Sequence, residues 1–201
     1  MTAMKPKDKV PVVLLDDAGD RCLSHLEWGF IPAWDRSLEL RGKLYNLRLE
    51  TILESLGAAS NTRIREAYVE ALCEKRAVIP AADAQERSRR DGQLYRLLPK
   101  AGDALFIAAL WSRVDPFTGQ PIGTVGMITT EHEHIGRVPL FLSPVAVDAW
   151  LSTRPRAKAW GAGFLRENRY TGNSLFEAAR KTARCAEPSA ETSPQTRLFL
   201  P

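Results

Sequence analysis

The sequence predicts an α+β domain built on a curved, largely antiparallel and barrel-like β-sheet, with a few helices at its periphery. Short apolar or β-branched runs recur along the chain between turn-forming residues, whereas helical periodicity is confined to a few scattered segments. The 201 residues suffice for one domain with a proper core, and hydrophobic residues make up 44% of them. Charged residues make up 26%, as is typical of a globular protein.

A β-hairpin is predicted at the start of this domain. Residues 10–15 form a run rich in valine and leucine, and the Asp-Asp-Ala-Gly-Asp segment at 16–20 has the composition of a turn. Residues 21–28 then read as the returning strand. Further strands are predicted at residues 76–81, 93–98, 104–111 and 124–130.

Three helices are predicted. Between residues 61 and 74 apolar side chains recur at helical spacing, with Asn61 or Thr62 available as the N-cap. Ser143 and Pro144 begin a second helix, because serine caps well and proline suits the first turn. The buried stripe of that helix is predicted to comprise Val147, Trp150 and Leu151. A third, shorter helix is predicted around residues 174–184.

The domain is predicted to span residues 1–184, with a mostly disordered tail over residues 185–201 that is rich in Ser, Thr, Pro and Glu. From Ser152 onward the chain holds nine Lys/Arg and four Asp/Glu, whereas the part before it is nearly neutral, with 19 against 20. The basic C-terminal segment is consistent with a solvated tail or with a nucleic-acid-binding arm.

The sequence predicts a cytoplasmic protein without a membrane partner. No stretch approaches the roughly 20 apolar residues of a membrane span, and the first residues lack the apolar centre of a signal peptide. The three cysteines, Cys22, Cys73 and Cys185, are far apart and have neither metal nor redox spacing. Such cysteines are typical of a reduced compartment.

Two neighbouring groups are the strongest candidates for a binding site. Trp28 and Trp34 bracket a Gly-x-x-Pro bend, which forms a rigid aromatic corner. Asn46, Arg48 and Glu50 follow at alternate positions and would point the same way on an extended segment. A polar triad beside aromatic rings suits a nucleotide. The alternatives are that the tryptophans are core residues and that the triad is a solvated edge.

Two further groups carry acidic or histidine side chains. Glu86 follows the strand at 76–81 and could be an ordinary loop carboxylate. The Glu-His-Glu-His run at 131–134 could chelate a metal, but a metal site normally needs a third convergent ligand. We therefore predict no metal and no cofactor. The chain has neither a Gly-x-Ser-x-Gly elbow nor a glycine-rich phosphate loop, so a serine hydrolase and a P-loop enzyme are not supported.

Taken in order, six segments between about residues 10 and 151 resemble the SRAP family (SOS response-associated peptidase fold). The first two are Trp-Gly-Phe-Ile-Pro-Ala-Trp at 28–34 and Asn-Leu-Arg-Leu-Glu-Thr at 46–51. Arg-Ala-Val-Ile-Pro-Ala at 76–81, followed by Glu86, resembles a family run that ends in a functional glutamate. The others are the strands at 106–111 and 128–131, Arg-Val-Pro at 137–139 with the Leu-Phe-Leu after it, and the helix containing Asp-Ala-Trp-Leu at 148–151.

The resemblance implies action on abasic sites in single-stranded DNA. In the family an N-terminal cysteine attacks the opened sugar aldehyde, its amine forms a Schiff base, and its thiol closes a thiazolidine ring. The resemblance makes Asn46 and Glu86 the retained catalytic positions, which orient the sugar and move protons. It makes Arg48 and Arg137 phosphate contacts, and it places Trp28 and Trp34 along the DNA groove, although both could be structural.

The sequence departs from the family pattern in three places. The family begins Met-Cys-Gly-Arg, whereas this chain begins Met-Thr-Ala-Met. The family histidine lies two residues before the arginine of Arg-x-Pro, and Ile135 holds that position here. Arg87 replaces a usual tryptophan. We therefore expect a protein of the DNA-damage response that binds single-stranded, abasic or junction DNA without covalent capture. The alternatives are an active enzyme with a longer N-terminus or substituted chemistry, and a protein-interaction module with a vestigial cleft.

Overall fold

The computed structural model describes residues 4–57, 62–102, 104–152, 158–180 and 197–199. These residues form four helices and twelve strands. The helices are α1 (Leu49–Ser55), α2 (Arg63–Glu74), α3 (Pro144–Trp150) and α4 (Lys158–Gly172). The strands are β1 (Lys9–Leu15), β2 (Arg21–Trp28), β3 (Asn46–Arg48), β4 (Arg76–Ala81), β5 (Asp83–Arg87), β6 (Leu94–Pro99), β7 (Leu105–Val114), β8 (Ile122–His132), β9 (Gly136–Pro139), β10 (Phe141–Leu142), β11 (Phe176–Arg180) and β12 (Arg197–Phe199).

Five strands close into a barrel. The order β7-β4-β1-β2-β8 returns to β7, because β7 pairs with both β4 and β8. All of these pairings are antiparallel except that of β2 with β8. Strands β3, β9 and β10 extend the barrel wall beside β8 and β7. The predicted α+β class with a curved, largely antiparallel, barrel-like sheet is therefore confirmed.

A second sheet has the order β11-β6-β5-β12 and is antiparallel throughout. Strand β12 comes from the C-terminal region and pairs with β5, with Arg197 opposite Gln85 and Phe199 opposite Asp83. The rest of the predicted tail, residues 185–196 and 200–201, lies outside the described residues, so the predicted domain boundary stays a prediction.

Two apolar cores support this arrangement. The first fills the barrel and includes Val12, Trp28 and Ile107, which are fully buried. The second lies between the barrel wall and the helices and includes Leu72 and Trp150. The predicted hairpin and the predicted helix starts are present: the Thr62 side chain accepts a hydrogen bond from the amide of Arg65, and that of Ser143 from the amide of Ala146.

The helix predicted around residues 174–184 is wrong in its described part. Phe176–Arg180 forms β11, which pairs with Tyr95–Pro99 on β6. Backbone pairing with the open edge of β6 outweighs the helical preference of the Glu-Ala-Ala-Arg run. The helix lies earlier in the chain, as α4, whose internal glycines weaken the helical signal in the sequence. Of the described helices, α4 is the longest with 15 residues, and none has the length and apolar character that a bilayer crossing requires.

Candidate functional site

Strand β3 positions the first predicted site residues. It runs parallel to β8, with Asn46 beside Met127 and Arg48 beside Thr129. Neighbours in register point to the same side of a sheet, so Asn46 and Arg48 share one face with Thr129. The extended segment ends at Arg48, because α1 begins with the next residue. The prediction that Glu50 continues the strand alternation is therefore wrong, since Glu50 lies in the first turn of α1.

Arg137 on β9 joins this face through a compact set of hydrogen bonds. Its Nη1 donates to the backbone oxygen of Thr129 at 3.2 Å and to the Thr129 hydroxyl at 3.3 Å. Its Nη2 donates to Glu50 Oε2 at 3.1 Å and to Glu131 Oε1 at 2.8 Å. The site thus brings Asn46, Arg48 and Arg137 together with Glu50, which reaches this face from α1 although it is not on the strand, and adds the carboxylate of Glu131.

The two arginines of this face differ in their electrostatic surroundings. The side chain of Arg137 is 19% exposed, and two carboxylates balance its charge. Arg48 is exposed, and no ion pair joins it to an acidic residue in the described part of the chain. Arg48 is therefore the cation of this face that is open to an anion from solvent.

The two tryptophans of the aromatic corner have different environments. Trp28 is fully buried, and its indole Nε1 donates to the backbone oxygen of Tyr45 at 3.1 Å. This burial favours the structural alternative for Trp28, because no face of its ring is accessible for stacking. Trp34 is 41% exposed, and the guanidinium carbon of Arg63 lies 6.0 Å from its ring centroid. Of these two tryptophans, Trp34 alone has an accessible ring, and it lies beside Trp111 and Ser112, away from the face of Asn46 and Arg48.

Glu86 lies in the second sheet, on β5, opposite Tyr95 of β6. It is 8% exposed, which makes it one of the few buried charged residues of the described chain. Arg87 beside it is exposed and donates from Nη1 to the backbone oxygen of Gly92 at 2.9 Å. The structure thus places Glu86 on a separate sheet from Asn46 and Arg48, and its catalytic role stays a prediction.

The turn between β8 and β9 holds the position at which the family carries a histidine. Ile135 is 1% exposed and packs in the barrel core. His132 lies at the end of β8, where its Nδ1 accepts hydrogen bonds from the amides of His134 at 3.2 Å and Ile135 at 3.4 Å. Its ring packs on Phe176, with centroids 5.5 Å apart. Burial lowers the pKa of His132 below the usual value, and nearby His134 lowers it further.

The acidic and histidine side chains of this turn do not converge. His134 Nε2 lies 3.0 Å from Glu133 Oε1, with both side chains about three-quarters exposed to solvent. Among the described residues there is no group of three or more His, Cys, Asp or Glu side chains placed to hold a metal ion. The described cysteines, Cys22 on β2 and Cys73 on α2, are inside the chain, so neither has a free α-amine.

Sequence reasoning missed Glu131 as a partner of Arg137. The hairpin register pairs Glu131 directly with Arg137, so the two side chains are cross-strand neighbours. The signal was present, because an acid and an arginine flank a short turn after a β-branched run.

Comparisons with known proteins agree with this fold and identify a family. The sequence model of the family described as SOS response associated peptidase (SRAP) matches residues 2–179, a wider range than the predicted 10–151. The chain is 27% identical over 151 residues to the abasic site processing protein YoaM of Bacillus subtilis, covering 71% of this chain and 62% of that protein. It is 25% identical over 151 residues to the abasic site processing protein YoqW of Bacillus phage SPbeta, covering 71% and 63%. The match therefore spans about three-fifths of the length of these curated relatives.

Solved structures show the same fold at lower identity. A protein from Bacteroides thetaiotaomicron superimposes with a TM-score of 0.65 at 20% identity, covering 87% of this chain and 74% of that one. A protein from Bordetella bronchiseptica gives a TM-score of 0.65 at 20% identity, covering 90% and 87%. The family match covers most of the chain, as the order of its sequence motifs predicted. The chain belongs to the SRAP family.

Proposed function

We propose that this chain binds single-stranded DNA, including DNA with an abasic site, through the face formed by Asn46, Arg48 and Arg137, and that it does so without a covalent adduct. The observation that carries the proposal is Arg48, an exposed arginine without an acidic partner among the described residues, beside a second arginine on the same face. Two relatives are named abasic site processing proteins, which supports DNA as the ligand.

The chemistry of the face suits a nucleic-acid backbone. A guanidinium binds phosphate through a planar fork of donors, so Arg48 and Arg137 are suited to phosphate oxygens. The Asn46 amide can both donate to and accept from a sugar. Trp34 has a half-exposed ring, but it lies beside Trp111 and Ser112 and is therefore outside this face, because Ser112 pairs with Thr124 and not with Thr129. Phosphate contacts position a strand without reading its sequence, so we expect little sequence preference.

Two observations support binding without covalent capture. Ile135 occupies the position at which the resemblance expects a proton-transferring histidine, and it is buried in the core where it can move no proton. Thiazolidine formation needs an α-amine and a thiol on one cysteine. Cys22 and Cys73 are both within secondary structure, with their amines in peptide bonds.

The test is equilibrium binding of a fluorescent single-stranded oligonucleotide carrying one abasic site at low salt. Arg48→Ala should weaken binding by about fivefold to twentyfold, which corresponds to the loss of one charge-assisted phosphate contact. Arg113→Ala is the matched control, because Arg113 is exposed and pairs with Gly123, about 20 Å along β8 from Thr129. It should change the affinity by less than about twofold.

Three outcomes would overturn the proposal. If the wild-type protein does not bind the oligonucleotide, or if Arg48→Ala and Arg113→Ala bind alike, the face is not a DNA site. A denaturation-resistant species on a gel, with or without borohydride trapping, would replace reversible binding with the covalent chemistry of the family.

A further inference from the structure

The two carboxylates paired with Arg137 differ in burial and in how easily they can move. Glu50 and Glu131 both bind Nη2, at 3.1 Å and 2.8 Å. Glu50 is anchored in α1, and its Oε1 is buried with no hydrogen-bond donor among the described residues. Glu131 lies near the end of β8, and its side chain is 45% exposed. Glu131 is therefore the partner that can turn into solvent without leaving a carboxylate inside the protein.

We infer that Glu131 competes with nucleic-acid phosphate for Nη2 of Arg137, so that DNA binding requires an exchange of one anion for another. This inference rests on the proposed function, because it concerns the phosphate contacts of the same face. The exchange breaks one hydrogen bond, from Nη2 to Glu131 Oε1, and forms one from Nη2 to a phosphate oxygen. No proton is transferred, and the released carboxylate is hydrated.

The remaining contacts of Arg137 keep the guanidinium in place during the exchange. Nη1 stays bound to the backbone oxygen and hydroxyl of Thr129, which is fully buried. Nη2 stays within reach of Glu50. The guanidinium of Arg137 is thus oriented both before and after DNA binds. The group that must move is the exposed side chain of Glu131. Arg48 faces no such competition within the described chain, so it makes the first contact.

The consequence is a limit on affinity. A phosphate can bind Nη2 of Arg137 only by displacing Glu131. The negative charge of Glu131 also repels the DNA strand. The wild-type protein should bind single-stranded DNA more weakly than its two arginines would allow, and it should release DNA readily. Glu131 is therefore a residue that sets affinity, and it is not a catalytic residue.

The test compares Glu131→Gln with Glu133→Gln. Both changes remove one exposed carboxylate from the β8–β9 hairpin, but Glu133 contacts His134 and not Arg137. The probes are a single-stranded thymidine oligonucleotide and, separately, inorganic pyrophosphate. Glu131→Gln should bind both probes about threefold to tenfold more tightly than the wild-type protein, because an exposed ion pair no longer has to be broken. Glu133→Gln should change the affinity by less than about twofold.

A double-mutant cycle shows whether Arg137 carries the gain. In an Arg137→Gln background, Glu131→Gln should raise the affinity by less than about twofold, the general effect of one surface charge, because Glu131 then has no guanidinium for which to compete. Thermal unfolding of each variant reports whether it is folded, and the pyrophosphate arm does not depend on DNA binding.

The outcomes separate this inference from the proposed function. If Glu131→Gln and Glu133→Gln change the affinity for both probes equally, Glu131 acts only as a surface charge and the inference is overturned. Weaker binding by Glu131→Gln would also overturn it, because Glu131 would then hold Arg137 in its binding position. A gain for pyrophosphate without any DNA binding would uphold the inference while the proposed function fails.

Discussion

Replacement of Arg76 by methionine should strongly destabilise the protein. Arg76 is 6% exposed and ties β4 to the ends of two helices. Its Nε donates to the backbone oxygen of Trp150 at 2.7 Å, and Nη2 donates to that of Ser152 at 3.0 Å. Its Nη1 donates to Leu72, at 2.9 Å, and to Cys73 at the end of α2. Methionine has a similar length and packs well in a core, so the change removes chiefly these hydrogen bonds.

The magnitude follows from the carbonyl oxygens that lose their donor. Hydrogen bonds from a charged donor contribute about 1.5–3 kcal/mol each, and a buried acceptor left without a donor costs about 1–3 kcal/mol. The oxygens of Leu72 and Trp150 are bound in buried surroundings, whereas those of Cys73 and Ser152 are nearer to water. Losing two hydrogen bonds to buried oxygens and two to partly exposed oxygens should lower the free energy of unfolding by about 3–5 kcal/mol. This corresponds to a decrease of about 6–20 °C in Tm.

The assay is urea unfolding followed by tryptophan fluorescence and circular dichroism. Arg21→Met is the matched control, because Arg21 also reaches α3, through Asp148 at 2.7 Å, but both side chains are about half exposed or more. It should lower the free energy of unfolding by less than about 1 kcal/mol. If Arg76→Met costs less than about 1 kcal/mol, or no more than Arg21→Met, the reasoning about buried carbonyl oxygens is refuted.

Two further predictions concern stability. Gly161→Ala and Gly163→Ala in α4 should have opposite effects: a Cβ at Gly161 would lie 2.7 Å from Leu72 Cδ2, whereas one at Gly163 meets nothing within 4 Å. Gly163→Ala should stabilise by about 0.5–1 kcal/mol through helix propensity, while Gly161→Ala should destabilise because overpacking outweighs that gain; equal effects in urea unfolding would contradict this. The second concerns His132, whose pKa is lowered by burial and then by His134. The folded state disfavours its protonation, so stability should be complete above about pH 6.5 and decrease as the pH falls through the lowered pKa of the folded protein. His132→Gln should reduce that pH dependence, and an unchanged profile would contradict the assignment.

Much of the barrel could be predicted because its strands carry local signals. The hairpin of β1 and β2 was identified from a β-branched run, an Asp- and Gly-rich turn and a returning strand, all contiguous in sequence. The start of α2 was identified because Thr62 caps it. The identity of these elements does not depend on distant parts of the chain.

The elements that were missed depend on contacts between distant residues. Nothing local shows that Phe176–Arg180 pairs with β6, or that β3 runs parallel to β8 about 80 residues later. Helix α4 contains Gly161, whose close approach to Leu72 is visible only in the folded protein. Local propensity therefore fails where tertiary pairing decides the structure.

The sequence suggests which residues could form the candidate site, but it does not show how they are arranged. The alternation of Asn46 and Arg48 was right because they lie on a strand, and it failed at Glu50 because α1 begins at Leu49. The two tryptophans flank one bend, and only the packing of β2 decides that Trp28 is buried while Trp34 is exposed. The family resemblance suggests Arg137 as a phosphate contact, but its acidic partner Glu131 follows from the hairpin register, which the sequence does not show.

The central claim is that Arg48 contacts phosphate in a reversible complex with DNA, and the salt dependence of binding tests it most directly. The logarithm of the binding constant for an abasic single-stranded oligonucleotide should fall linearly with the logarithm of salt concentration. Arg48→Ala should reduce the magnitude of that slope by about 0.7, the value for one phosphate contact to a single strand. Arg113→Ala should leave it unchanged. Identical slopes for the wild-type protein and Arg48→Ala would contradict the account.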